Sequence, residues 1–197
     1  MKTLLATLMI AVVYGSPIAA GTPPGGASTD PVLGKPVPQF TAQLVDVSVS
    51  PPKQAAFDSH KTSHDTAYIF VGTTCPATNA YVDRFKQIEQ TYRPKGIDFI
   101  YIYPNSNDTS DAKLGFHKEK GFTGHMIDDQ GAKLAKLFQA QRTSELFVAD
   151  KKGTVVYHGA VDDSRDPNAV KQRYLATALD ELLASKPITT AYSQVFA

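Results

Sequence analysis

The tightest constraint on this chain lies between residues 67 and 103. Residues 67–71, Ala-Tyr-Ile-Phe-Val, are a short apolar run closed by Gly72, the pattern of a buried strand. Past Cys75 and Pro76, the residues Tyr81, Phe85, Ile88 and Tyr92 recur at helical steps, which predicts a helix over 77–92 with one buried face. Proline suits the first helical turn, where its missing N–H needs no partner. Pro94 and Gly96 stop the helix, and residues 97–103, Ile-Asp-Phe-Ile-Tyr-Ile-Tyr, give a second apolar run. A strand, a helix and a strand joined at these lengths form a βαβ unit with parallel strands and a right-handed crossover.

The rest of the chain extends that unit. A polar loop over 104–110 leads to a weaker helix over 111–120, a turn at 121–124, a short strand at 125–127 and a short helix over 132–138. Residues 145–149 and 154–158 read as strands joined by the hairpin turn Asp150-Lys151-Lys152-Gly153. An amphipathic helix over 170–184 buries Tyr174, Leu175, Ala178, Leu179, Leu182 and Leu183. This order predicts an α/β protein with a central mixed β-sheet flanked by helices. With 197 residues, 42% of them hydrophobic, the chain suits one domain with tails, placed at 39–190.

The ends read differently. Residues 1–20 have the form of a secretory signal peptide: Lys2, an apolar stretch from Leu4 to Val13, helix breakers at Gly15 and Pro17, and Ala20 as the last residue removed. The apolar run falls short of the about 20 residues that span a bilayer, and no cysteine follows it to carry a lipid. An exported protein with no membrane attachment after cleavage is expected, periplasmic or extracellular. Residues 21–38 hold five prolines and four glycines, which suits a flexible leader or an arm over the surface. Residues 191–197 read as a tail.

Composition removes several functions. Twenty basic residues against 19 acidic leave no electrostatic footprint for nucleic acid. One cysteine excludes an internal disulfide and a multi-cysteine metal site. That cysteine, Cys75, falls where a buried strand turns into a helix, at the N-cap. Free N–H groups and the positive end of the helix dipole favour thiolate there, and thiolate is the nucleophilic form. Thr73 and Thr74 are candidate hydroxyl donors to the sulfur. The competing reading is a buried, inert thiol; the strand–Cys–Pro–helix placement favours a reactive one.

The run Phe70-Val71-Gly72-Thr73-Thr74-Cys75-Pro76 resembles the active-site turn of thioredoxin-fold proteins. Gly34 to Phe40 looks like the start of the redoxin (AhpC/TSA-like) branch, which includes peroxiredoxins. Thr73 to Tyr81, Tyr103-Pro104-Asn105 and the late stretch Phe147 to Asp163 are similar to a group of exported bacterial redoxin-domain proteins. The resemblance covers about residues 34–190 and implies a thioredoxin-like fold. It places Cys75 at the first, attacking position of a CxxC motif, and Thr78 at the second.

Three departures accompany it. Thr78 replaces the second cysteine, so no local disulfide can form. The family's cis-proline loop reads Thr143-Ser144-Glu145 here, and a cis bond before serine costs about 2.5–4 kcal/mol, so a trans loop of different shape is expected. The peroxiredoxin pattern P-x-x-x-T-x-x-C would need threonine at Gly72 and proline at Tyr68. Arg142, near the opposing loop, is read as a solvated surface residue. The resemblance implies Cys75, Thr74 and Thr78 as catalytic positions and Thr143, Ser144 and Pro76 as substrate contacts.

Other clusters are weaker. His60 and His64 would share a helix face, but their polar neighbours suit a loop, and no metal site is expected. Residues 162–167 read as a solvated loop capping the last helix. The expected function is an exported, cofactor-free thiol oxidoreductase. Cys75 attacks a protein disulfide or a small peroxide, and an external thiol or thioredoxin-like protein resolves the product. The alternative is a non-catalytic thioredoxin-fold binding or scaffold module.

Overall fold

The computed structural model describes residues 30–195. The expected signal peptide and the first half of the Pro/Gly-rich leader, residues 21–29, lie outside the described residues. Seven strands form one mixed sheet: β1 (Thr41–Asp46), β2 (Lys53–Asp58), β3 (Asp65–Phe70), β4 (Ile97–Tyr103), β5 (His125–Asp128), β6 (Leu146–Ala149) and β7 (Val155–Gly159). Across the sheet they run β2-β1-β5-β4-β3-β6-β7. The β3–β4 and β4–β5 pairs are parallel, and β3–β6 and β6–β7 are antiparallel. The helices are α1 (Pro76–Tyr92), α2 (Ser110–Glu119), α3 (Lys133–Phe138) and α4 (Tyr174–Leu183).

The βαβ unit follows from its apolar period. Strands β3 and β4 are buried on both faces, so alternate side chains feed two separate cores. Ala67, Ile69, Phe99 and Tyr101 pack with Tyr81 and Phe85 of α1, Phe116 of α2 and Leu175 and Leu179 of α4. Tyr68, Phe70, Ile100 and Ile102 pack on the other face with Leu134 and Phe138 of α3, and with Val37 and Phe40. Gly96 closes the one-turn 3-10 segment Arg93–Lys95 after α1 in the left-handed region, at φ 93°, where glycine carries no steric penalty.

Several local features depart from the sequence reading. Strands β1 and β2 form an antiparallel hairpin that the sequence did not suggest. Most of their residues are exposed or half-buried, so they lack an apolar period. Helix α4 begins at Tyr174 rather than 170, because the preceding segment is held extended. Lys171 donates its N–H to Asp163 Oδ1 (2.8 Å), and Asp163 N–H donates to the Gln172 carbonyl (3.2 Å). The first half of the 162–167 loop is docked, with Arg84 on α1 donating to Asp162 Oδ2 (2.6 Å) and to the carbonyls of Ser164 (2.5 Å) and Arg165 (2.7 Å), while residues 165–167 are exposed as expected. His60 and His64 sit in the turn between β2 and β3, against the Val37 carbonyl and Asp98 respectively.

Both described ends of the chain run along β7. Gly34 and Val37 donate to the carbonyls of Val155 (2.9 Å) and Gly153 (2.8 Å). From the other end, the Ala191 carbonyl accepts from His158 N–H (2.9 Å), and Ser193 N–H donates to the His158 carbonyl (3.1 Å).

Candidate active site

Strand β3 ends at Phe70, and residues 71–75 turn the chain into α1. Cys75 is the N-cap, extended at φ −75° and ψ 122°, and Pro76 opens the helix. The half-buried thiol therefore stands at the end of α1 where backbone N–H groups are free of helical partners. Burial pushes the Cys75 thiol up. Hydrogen bonds from the Thr143 hydroxyl, from the N–H groups of Thr78 and Ala77, and from the Thr78 hydroxyl outweigh it, leaving the thiol below its ordinary value.

The nearest described side-chain partner of the sulfur comes from across the sheet. Thr143 Oγ1 lies 2.8 Å from Cys75 Sγ. Thr143 belongs to the loop before β6, which hydrogen bonds place beside the end of β3: Ser144 N–H donates to the Phe70 carbonyl (2.6 Å), and Phe70 N–H donates to the Glu145 carbonyl (2.9 Å). Gly72 makes the approach of the two loops possible. A methyl group built there would stand 3.0 Å from Asn105 Nδ2 and 3.3 Å from both Cys75 Cβ and Thr143 Cγ2.

The candidate residues fall into distinct positions. Thr78 is fully buried, and its hydroxyl also accepts the Gly72 N–H at 3.1 Å. Thr73 donates its hydroxyl to Asp108 Oδ2 (2.6 Å), which also accepts from Asn105 Nδ2 (3.2 Å), so it braces the turn against the loop after β4. Thr74 and Pro76 are exposed. Among the described residues the hydroxyl hydrogen-bonded to the sulfur is that of Thr143, while Thr73 turns to Asp108 and the Thr78 hydroxyl acts to lower the thiol. Ser144, at φ 65°, is in the left-handed region, and its buried hydroxyl has no hydrogen-bond partner among the described residues. The Thr143–Ser144 bond is trans, the one cis bond among the described residues being Ser50–Pro51. Arg142 is exposed.

A Redoxin family model matches residues 33–173. The chain belongs to the Redoxin family. The matched span reaches from the arm against β7 to the start of α4, so the Cys75 turn and the Thr143 loop both lie inside the Redoxin domain. No curated protein sequence matches the chain. Among solved structures, it is similar to an uncharacterized conserved protein from Geobacillus kaustophilus, 25% identical at a TM-score of 0.72, covering 83% of this chain and 88% of that one. A hypothetical protein from Sinorhizobium meliloti is 23% identical at a TM-score of 0.71, covering 83% and 91% respectively. A secreted Mycobacterium tuberculosis disulfide oxidoreductase shares the fold at 17% identity and a TM-score of 0.52, covering 75% and 96%. The fold is thioredoxin-like, as the resemblance implied. No helix among the described residues is long and apolar enough to cross a membrane.

Proposed function

We propose that this redoxin is an exported thiol oxidoreductase whose nucleophile is the Cys75 thiolate. The observation that carries this reading is the Thr143 hydroxyl 2.8 Å from Sγ, at a helix start whose Ala77 and Thr78 N–H groups also hold the thiol below its ordinary value. Donors that favour an anion on sulfur raise the fraction of the form that attacks.

With a disulfide, the thiolate forms a bond to one sulfur while the S–S bond breaks and the other sulfur leaves as thiolate. An external thiol, or a thioredoxin-like protein, then attacks the mixed disulfide and returns Cys75 to thiolate. With a hydroperoxide, the sulfur takes one oxygen, the O–O bond breaks, and an alcohol or water leaves after protonation. The first external thiol turns the sulfenic acid into a mixed disulfide with loss of water, and a second releases Cys75. Both cycles need thiols from outside the described chain, because Thr78 occupies the position of a local partner cysteine. Export is supported by the form of residues 1–20 and by the Redoxin domain's likeness to a secreted oxidoreductase fold.

Alkylation of Cys75 measured against pH, alongside turnover with a dithiol reductant and a disulfide or hydroperoxide, tests the reading. A profile midpoint below about 8.5, the free-thiol value, with turnover abolished in Cys75→Ser, is expected. An ordinary midpoint and no turnover would leave the non-catalytic binding module.

A further inference from the structure

Glu145 follows the Thr143-Ser144 loop directly and is buried. Its Oε2 accepts the N–H groups of Gln141 (2.6 Å) and Arg142 (2.9 Å). Its Oε1 lies 2.7 Å from His158 Nε2. On the other side of the ring, His158 Nδ1 lies 2.8 Å from Asp30 Oδ2. The ring itself stacks on Phe147, 4.1 Å between centroids and 9° between planes. An imidazole whose two nitrogens both face carboxylates can donate to both only as imidazolium. Burial acts to lower the His158 value, but its hydrogen bonds to Glu145 and Asp30 prevail and push it up, and the ring sits sheltered between β6, β7 and the arm.

What these atoms hold is the backbone on either side of Thr143. Upstream, Glu145 ties down Gln141 and Arg142. Downstream, the Ser144 N–H is spent on the Phe70 carbonyl (2.6 Å). Thr143 sits between two fixed points, and its hydroxyl meets the sulfur.

We propose that Glu145, oriented by His158, is a positioning residue that holds the Thr143 hydroxyl on Cys75. This rests on Cys75 being the reactive thiol. Without the carboxylate, the N–H groups of Gln141 and Arg142 lose their acceptor. The loop then samples other conformations, and the sulfur loses its hydroxyl donor for part of the time.

The test compares Cys75 alkylation by iodoacetamide at pH 7 in the wild type, Thr143→Val, Glu145→Ala and the double variant. Thr143→Val is expected to slow the reaction on the order of three- to ten-fold, the worth of one hydrogen bond, and to move the profile midpoint to higher pH. Glu145→Ala should slow it in the same direction, and the double variant should be no slower than Thr143→Val alone. Glu145→Gln, which keeps an acceptor oxygen for the loop, should recover most of the rate. A Glu145→Ala protein that reacts at the wild-type rate, or effects that multiply in the double variant, would overturn the proposal. If Glu145→Ala does not fold, His158→Gln takes its place in the same cycle with the same criteria. Turnover is a separate readout. A protein with coupled alkylation effects and no turnover loses the proposed function and keeps the positioning role. One with turnover but no coupling does the reverse. A wild-type midpoint near 8.5 that Thr143→Val does not move overturns both.

Discussion

Thr78 accepts the Gly72 N–H through its hydroxyl at 3.1 Å, so the residue at the second position of the Cys75 turn fastens the turn's own entrance. A thioredoxin-type site would use this position for a second sulfur, whereas here it closes a seven-residue loop, Gly72 to Thr78, around Cys75. Thr78→Val leaves a buried N–H without a partner and is expected to cost about 1–3 kcal/mol in urea unfolding; Thr78→Ser should cost much less. Thr78→Cys, which creates a C-x-x-C spacing, should show two free thiols when reduced and none after mild oxidation. A thiol titration decides this.

Gly72→Ala places a methyl group against Asn105, Cys75 and Thr143 at 3.0–3.3 Å. The backbone at Gly72 is not in the left-handed region, so the effect is steric and comes from overpacking, about 1–3 kcal/mol. The methyl group pushes Thr143 from the sulfur, so Cys75 alkylation at pH 7 should slow along with the loss of stability.

Asp108 joins two loops at one carboxylate oxygen, through Thr73 (2.6 Å) and Asn105 (3.2 Å). Asp108→Ala is expected to lower stability by roughly 1–3 kcal/mol, as a charged acceptor is lost. Thr73→Val should add little in the Asp108→Ala background, because both changes remove the same bond. Urea midpoints for the two single variants and the double variant check this.

Two histidines give stability opposite slopes with pH. Burial pushes His117 down to about 4, against one hydrogen bond to the Gly124 carbonyl. The unfolded chain takes up that proton near pH 6.5, so stability should fall between pH 6.5 and about 4, by roughly 3 kcal/mol if His117 acts alone. At His158 burial again acts downward, but the hydrogen bonds to Glu145 and Asp30 and their charges prevail, and the net shift is upward. Its stabilisation is complete below the unfolded value near 6.5 and is lost as pH rises through the folded value. His117→Asn should flatten the acid limb and His158→Gln the alkaline limb. Chemical denaturation at pH 4 to 9 reads both.

The β3–α1–β4 unit was legible because its apolar residues keep strict periods through both strands and the helix. Strands β1 and β2 were not, since a half-exposed hairpin with Gln43, Lys53 and Gln54 carries no such period. Cys75 was legible from its place before Pro76. Thr143 as the hydroxyl partner of the sulfur was not legible, because it arrives only through antiparallel pairing of β3 with β6, whereas Thr73 and Thr74 are neighbours in sequence. The Glu145–His158 pair left a fainter trace. In the β6–β7 hairpin His158 stands opposite Phe147, two residues from Glu145 and so on the same face. A charged residue opening an otherwise apolar strand, with a histidine diagonal to it, is a detectable pattern once the hairpin register is set.

Because the arm and the residues around Ser193 both lie on β7, among the described residues the sheet keeps a single open margin, at β2. Among the described residues, backbone pairing between molecules is therefore favoured at β2. Two copies meeting margin to margin would exhaust their capacity at once, and lateral growth into a ribbon would stop at the pair.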